Sequence, residues 1–309
     1  MKSLSLIWLS KSDLSNLNSG EGGGNLTELK LYDNKTKPYV SGQSMRRALF
    51  DTVAREYEDV FKCTPELPCT DIENCWGCDL RGFLATEENV GGSKRWSPLK
   101  VSPALGQLKK ELVTDLLTRH SDIEKEGMKS KDQRMAYVQM VDNLYKMSLV
   151  IDTANIGRVV EPEITGNKSD KKFAGWNETV NISGDDKKER VNATLDAVFN
   201  LSGFAKQARS MSDLSPDILF LSIKETYNQR GQQIFDLDEN GKLNIDKVET
   251  ILKEHQLLGN EIILGLTPGI LDEDNEKELT DLFDSYGVQV VSVLEAINWA
   301  KEKVSKAEL

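Results

Sequence analysis

Two groups of residues in this chain of 309 residues have the types and spacing to do chemistry. The first is Cys63, Cys69, Cys75 and Cys78, which are all the cysteines of the chain and lie within sixteen residues of one another. Cys75-Trp-Gly-Cys78 has the two-residue spacing that lets two thiolates face one ion, and Cys63 and Cys69 form a looser second pair. Zinc in a closed four-thiolate site is the leading reading, with free buried cysteines and an iron–sulfur cluster as alternatives. Four protein ligands leave no open position on the ion, so such a site would be structural.

The second group lies in Lys37 to Tyr57, KPYVSGQSMRRALFDTVAREY. A short β-type run, Tyr39-Val40, ends at Gly42, and Ser44 reads as the N-cap of a helix. Met45, Ala48, Leu49 and Val53 fall at helical spacing on one face, which puts Arg46 and Arg47 off that face in the first turn. A helix N-terminus already carries partial positive charge and free N–H groups. Two cations there, with the Ser41 and Ser44 hydroxyls and Gln43 between them, describe a site waiting for a phosphate. The plainer alternative is a solvated helix start whose arginines point into water.

The elements that must position these groups follow from pattern. LSLIWL within residues 4–10 reads as a first strand; no cleavage site follows it, so it is not a signal peptide. A loop from Lys11 to Asn25 contains Asn18 and the run Glu21-Gly22-Gly23-Gly24, where glycine permits close approach of a partner. No Gly-Lys-Ser/Thr closes it, so it is no Walker loop. Residues 26–32 alternate as a half-buried strand carrying Lys30. Residues 61–101 read as a cysteine-rich insertion, residues 106–117 as a helix, and residues 118–132 as a charged loop. A strand is expected at 148–156, a polar excursion at 158–186, an amphipathic helix at 191–204, and a strand at 217–223. The C-terminal segment, 260–309, reads as βαβα packed on the core. Strands and helices mix without a strict βαβ repeat, which predicts one elaborated α+β domain over 1–309.

SGQSMRRALFD, preceded by LNSGEGGGNLTELKLY, resembles the CRISPR-associated RAMP backbone subunit of type I-B Cascade, the DevR subgroup. The likeness is motif-specific in the first fifth of the chain and continues weakly through Gly203–Arg209 and Gly287–Trp299. It implies an RRM-like (ferredoxin-like) core with large insertions, and a projecting thumb-like hairpin, assigned here to 158–186. It also implies a non-catalytic subunit that binds crRNA, stacks in head-to-tail copies with other Cascade subunits, and presents the guide to target DNA. The RNA-binding residues it suggests are Asn18, Gly23, Gly24, Lys30, Ser41, Gln43, Ser44, Arg46, Arg47, Lys206 and Arg209. The cysteine cluster is not a general feature of that superfamily.

Composition bounds these readings. A net charge of −11 argues against coating nucleic acid by bulk attraction. The charge is uneven: residues 30–50 hold five cations against one acid, while residues 271–309 hold ten acids against four cations. No apolar run approaches the ~18 residues of a membrane span, so the expectation is a cytoplasmic protein with reduced thiols. Two other readings stay in play: a metal-dependent RNA endonuclease of the type III kind, although Asp13 and Asp33, which sit near loops, do not match the loop aspartate of that kind, and a zinc-stabilised interaction module without RNA. The two histidines, His120 and His255, read as inert surface residues, and neither Gly-x-Ser-x-Gly nor His-Glu-x-x-His occurs. Asp236-Leu-Asp238-Glu-Asn240-Gly241 imitates a calcium loop, but Lys247 stands where the bidentate glutamate belongs.

Overall fold

The computed structural model describes all residues except 20–25, 88–90, 126–127, 168–169 and 205–210. In chain order the elements are β1 (Ser3–Ser15), β2 (Leu26–Thr27), β3 (Leu31–Tyr32), β4 (Lys37–Val40), α1 (Gly42–Glu56), β5 (Phe83–Glu87), β6 (Gly91–Arg95), β7 (Leu99–Val101), β8 (Ala104–Gly106), β9 (Val113–Lys125) and β10 (Met128–Asp152). There follow β11 (Arg158–Thr165), β12 (Lys172–Asn181), α2 (Gly184–Phe199), β13 (Ile218–Lys224), α3 (Ile245–Leu257), β14 (Glu261–Leu266), α4 (Glu273–Ser285), β15 (Val290–Val291) and α5 (Val293–Lys306).

β1 is the spine of the main sheet because both of its faces are apolar. It pairs antiparallel with β10 on one side, Leu6 opposite Leu149, and with β13 on the other, Leu6 opposite Leu221. The path runs β15-β14-β13-β1-β10-β8-β4-β3, with β2, β7 and β9 also pairing with β10. Strand side chains alternate between faces, so Leu4, Leu6 and Trp8 enter one core with α1, α2 and α5. Ile7 and Leu9 enter a second core with α3 and α4. The fold is thus mixed α+β on a mostly antiparallel sheet, with helices on both faces.

Several expectations are corrected. Residues 106–117 are not a helix; β8 ends at Gly106 and β9 begins at Val113. β9 pairs antiparallel with β10 from Val113 opposite Met140 to Lys125 opposite Met128, so the expected charged loop is a hairpin. Helical propensity in QLKKEL yields here to the long β10, whose Val141, Asn143, Tyr145, Met147, Leu149 and Ile151 are buried at strict period two. The expected strand at 26–32 splits into β2 and β3.

His255 is no surface residue either. It lies fully buried on α3, edge-on to Phe220 with ring centroids 5.1 Å apart, and its Nε2 finds no acceptor. Burial first, then the nearby Lys224 charge, push its imidazole down to about 4. An unfolded chain therefore binds a proton that the folded chain refuses between its ordinary pKa of 6.5 and about 4. The stability this residue contributes is intact above pH 6.5 and lost as pH falls through about 4, a loss of roughly 3 kcal/mol. Urea titrations at pH 7 and pH 4.5 on wild type and His255→Leu check it: the variant should lose less on acidification.

The calcium imitation is also settled by its partners. Asp236 pairs with Lys146 and, at 3.0 Å, with Lys247, while Asp238 accepts turn hydrogen bonds from Asn240 and Lys242 at 2.8 and 2.9 Å. Lysines take the charge that calcium would need.

Candidate nucleic-acid interface and metal centre

The start of α1 is set by Ser41, not Ser44. Ser41 has extended backbone, and its Oγ accepts from the Ser44 N–H at 3.3 Å. The helix therefore begins three residues earlier than the sequence suggested, and both arginines fall in its second turn. Successive positions on a helix point about 100° apart, which separates the two. Arg47 is 80% exposed and ion-paired with Asp51 at 3.3 Å. Arg46 turns inward over the Phe50 ring and donates to the Arg81 and Leu99 carbonyls at 2.7 and 3.3 Å.

On the Arg47 side a cleft of about 520 Å³ opens between the loop after β1, the first turns of α1 and Gly203-Phe204. Ser44 Oγ donates to Asn18 Oδ1 at 2.7 Å and lies 3.1 Å from Ser41 Oγ. Asn18 Nδ2 is buried with no acceptor among the described residues. Asn16 anchors the loop through Gln139 of β10, donating to its carbonyl at 2.7 Å. Gly203 has φ +96°, a left-handed backbone that favours glycine, where the chain passes α1 beside Ala48 and Asp51. Asp51 also lines the cleft, so Arg47 enters it as half of an exposed ion pair; with the Asn18 amide it forms the donor set that recognises a phosphate oxygen.

Of the residues expected to bind RNA, the cleft brings together Asn18, Ser44 and Arg47, with Ser41 behind them. Gln43 is exposed on the first turn, and Lys30 does not line the cleft. Gly23, Gly24, Lys206 and Arg209 lie outside the described residues; the chain enters both of their segments from the cleft wall, after Ser19 and after Phe204. Asp13 is on β1 and Asp33 sits in a turn, 3.6 Å from Lys37. Among the described residues the four cysteines are the one group of three or more potential metal ligands, and neither aspartate joins it.

The four sulfurs lie within 4.8 Å of one another. Cys63 Sγ is 3.5 Å from Cys75 Sγ and 3.4 Å from Cys78 Sγ, and Cys69 Sγ is 3.6 Å from Cys78 Sγ. A tetrahedral ion with bonds of about 2.3 Å needs sulfur separations of about 3.8 Å, whereas a disulfide needs about 2.05 Å. The donor set and spacing fit a closed thiolate site. Space at Gly77 is tight: a Cβ would meet the Phe61 and Arg81 side chains at 3.2 Å, so either would have to give way.

The turn that carries Cys78 also carries an unforeseen residue, Asp79, with a fully buried side chain. Its carboxylate accepts from Arg190 of α2 at 2.6 Å, from Arg95 of β6 at 2.5 Å, and from the Gly157 N–H at 2.9 and 3.0 Å. Arg95 donates onward to the Arg158 carbonyl at 2.6 Å, and Arg190 to the Ile72 carbonyl at 2.9 Å. One carboxylate therefore ties the cysteine loop, α2, the β5–β6 hairpin and the root of the β11–β12 hairpin. The sequence signal was an acid directly after Cys-x-x-Cys, which carries no meaning until its partners, over a hundred residues away at Arg190, are placed.

A family profile described as CRISPR-associated negative auto-regulator DevR/Csa2 matches residues 12–225. No curated protein matches the sequence. Among solved structures, the chain is similar to one from a "CRISPR RNA-guided surveillance complex", at TM-score 0.58 and 15% identity, covering 97% of this chain and 99% of that one. It is also similar to one from a "CRISPR RNA-guided surveillance complex, pre-nicking", at TM-score 0.62 and 11% identity, covering 98% and 100%. Among the described residues, no helix is long and apolar enough to cross a membrane.

Proposed function

The chain belongs to the CRISPR-associated DevR/Csa2 family, and from that premise we propose that it is a non-catalytic backbone subunit binding the guide RNA of a CRISPR surveillance complex. The observation that carries this is the cleft at the start of α1, where Asn18, Ser44 and Arg47 converge on a protein of net charge −11. A focused phosphate site on an acidic body holds RNA by its backbone and leaves its sequence unread. That suits a guide whose spacer varies and whose specificity is delegated to pairing with target DNA.

The strand order β13-β1-β10-β8, with α1 following β1 and α2 following β10, supports the RRM-like reading of the core. Copies would stack head to tail along the guide, with other subunits at the ends. Two hairpins are candidates for the thumb that kinks it. β11–β12 exposes Phe173 and Trp176, whose rings meet edge-on at 5.5 Å. β9–β10 exposes Leu116 opposite Tyr137, and Gln139 on β10 anchors the cleft loop. The latter is the better placed. Zinc is the ion we assign to the cysteine cluster; bound there it cross-links the loop, Cys75 and Cys78 holding one side and Cys63 and Cys69 the other.

The experiment is purification at moderate salt, followed by absorbance at 260 and 280 nm and sizing of any bound RNA. Copurifying RNA in steps of a regular length supports the reading. Protein that carries no nucleic acid and binds no added single-stranded RNA would leave only a metal-stabilised interaction module.

A further inference from the structure

On the Arg46 side of α1 lies a second concavity, which shares no lining residue with the cleft. It begins as a cavity of about 470 Å³ under the β5–β6 hairpin and continues into one of about 870 Å³ reaching the root of β11. Both volumes are of the size that takes a small ligand, ~300–1,000 Å³. Among the described residues the first is lined by Arg46, Arg81, Lys94, Arg95 and Lys100 with no acid beside them, on a protein whose net charge is −11. Asp152 and Glu161 enter only in the second, at the end away from α1.

The cations are poorly matched by acids: among the described residues Asp79 alone pairs with one of them, and Arg81 Nη2 lies 4.0 Å from Cys63 Sγ at the edge of the thiolate cluster. Asp79, which pairs with Arg95, also serves Arg190. Arg46 spends its guanidinium on two carbonyls, and burial, then the Arg81 charge beside it, lower its pKa. Arg81 Nε and Arg95 Nε are buried with no acceptor among the described residues. Like charges gathered around a concavity, with donors unmet, describe the imprint of an anion.

The aromatic groups narrow the choice of anion. Trp96 is 75% exposed at the mouth; Lys94 Nζ lies 5.4 Å from its ring centroid. Phe83 lines both cavities. Exposed rings interleaved with cations along a groove are what unstacked bases and their phosphates require. An acidic protein surface would use the cations but gain little from a free indole face.

We propose that this groove, between the β5–β6 hairpin and α1, is a second binding site for single-stranded nucleic acid, with a base stacked on Trp96 and phosphates on Lys94 and Lys100. It is distinct from the Asn18–Ser44–Arg47 cleft, with which it shares no lining residue. Two strands can therefore meet one copy of the chain at once.

The test uses the full-length, metal-replete protein and a fluorescent oligouridine of about six nucleotides, short enough to fill one site. Wild type is expected to bind two per chain. Lys94→Ala/Trp96→Ala/Lys100→Ala should bind one, with the lost site weakened at least about tenfold, since stacking alone is worth ~1–3 kcal/mol per base. Its melting temperature and metal content should stay close to wild type: Trp96 and Lys94 are exposed, and Lys100, half-buried, gives up one bond to the Ser97 carbonyl. Asn18→Ala/Arg47→Ala should lose the other site and keep this one. If that second variant still binds two, the guide-binding reading fails and this inference stands. If the triple variant keeps every site that wild type has, the groove is not a nucleic-acid site; a single wild-type site that the triple variant loses and Asn18→Ala/Arg47→Ala keeps would instead sink the guide-binding reading alone. Loss of self-association by the triple variant with oligonucleotide binding intact would also overturn it, and would assign the groove to an acidic surface of another copy.

Discussion

Asp79→Ala is expected to cost about 3–5 kcal/mol of unfolding free energy, the range for removing one partner of a buried ion pair. Asp79 is fully buried and Arg190 is 2% exposed. Truncating the carboxylate leaves the Arg190 guanidinium inside the protein with carbonyls and the Trp76 ring, 6.0 Å away, but no anion. It also removes the acceptor of the Gly157 N–H. The consequence is therefore local as well as global: hydrogen exchange should accelerate at Gly157 and Arg158 and along β11 before the main sheet is affected. Asp79→Asn keeps the shape but not the charge and should fall between wild type and alanine. Urea denaturation measures the total, and a loss under about 1 kcal/mol would mean that Asp79 does not bind these segments together.

Removing the metal is expected to act through the same hub. Elemental analysis should return about one zinc per chain, the stoichiometry of a closed tetrahedral site. Four thiolates around a divalent ion leave a net charge of −2, and Arg81 Nη2, 4.0 Å from Cys63 Sγ, partly offsets it. Without the ion, four reduced thiols crowd together with nothing to hold them. Metal binding free energy of structural zinc is folding free energy, so Cys78→Ser or chelation should cost about 3 kcal/mol or more. The exchange pattern should resemble that of Asp79→Ala, because Cys78 and Asp79 share one turn. A metal-free chain with wild-type stability and wild-type exchange at Gly157 would contradict the metal centre.

The features legible in the sequence were those written in local spacing. LSLIWL declared a strand because both faces of β1 are buried. The cysteines declared a cluster because their spacing alone brings sulfurs together. What was not legible depended on distant partners. QLKKEL has helical composition, and nothing near it announces β10, the strand that β9 pairs with. Arg46 and Arg47 read as a pair because the helix start was placed at Ser44. Moving the cap to Ser41 leaves their neighbourhood unchanged in sequence, yet one arginine is half-buried against Arg81 while the other faces the cleft. Asp79 and His255 look like ordinary polar residues until α2 and the second core close over them.

The central claim is that the cleft holds guide phosphates through Arg47, and a salt titration of RNA affinity tests it most directly. Wild type and Arg47→Ala are each titrated with two single-stranded RNAs of unrelated sequence. Losing one phosphate contact should reduce the slope of log affinity against log salt by about 0.7, equally for both RNAs, because phosphates carry no base information. Thermal stability of the RNA-free variant should be nearly unchanged, since Arg47 is 80% exposed and its Asp51 pair lies at the surface. An unchanged slope, or a loss confined to one RNA sequence, would contradict the assignment.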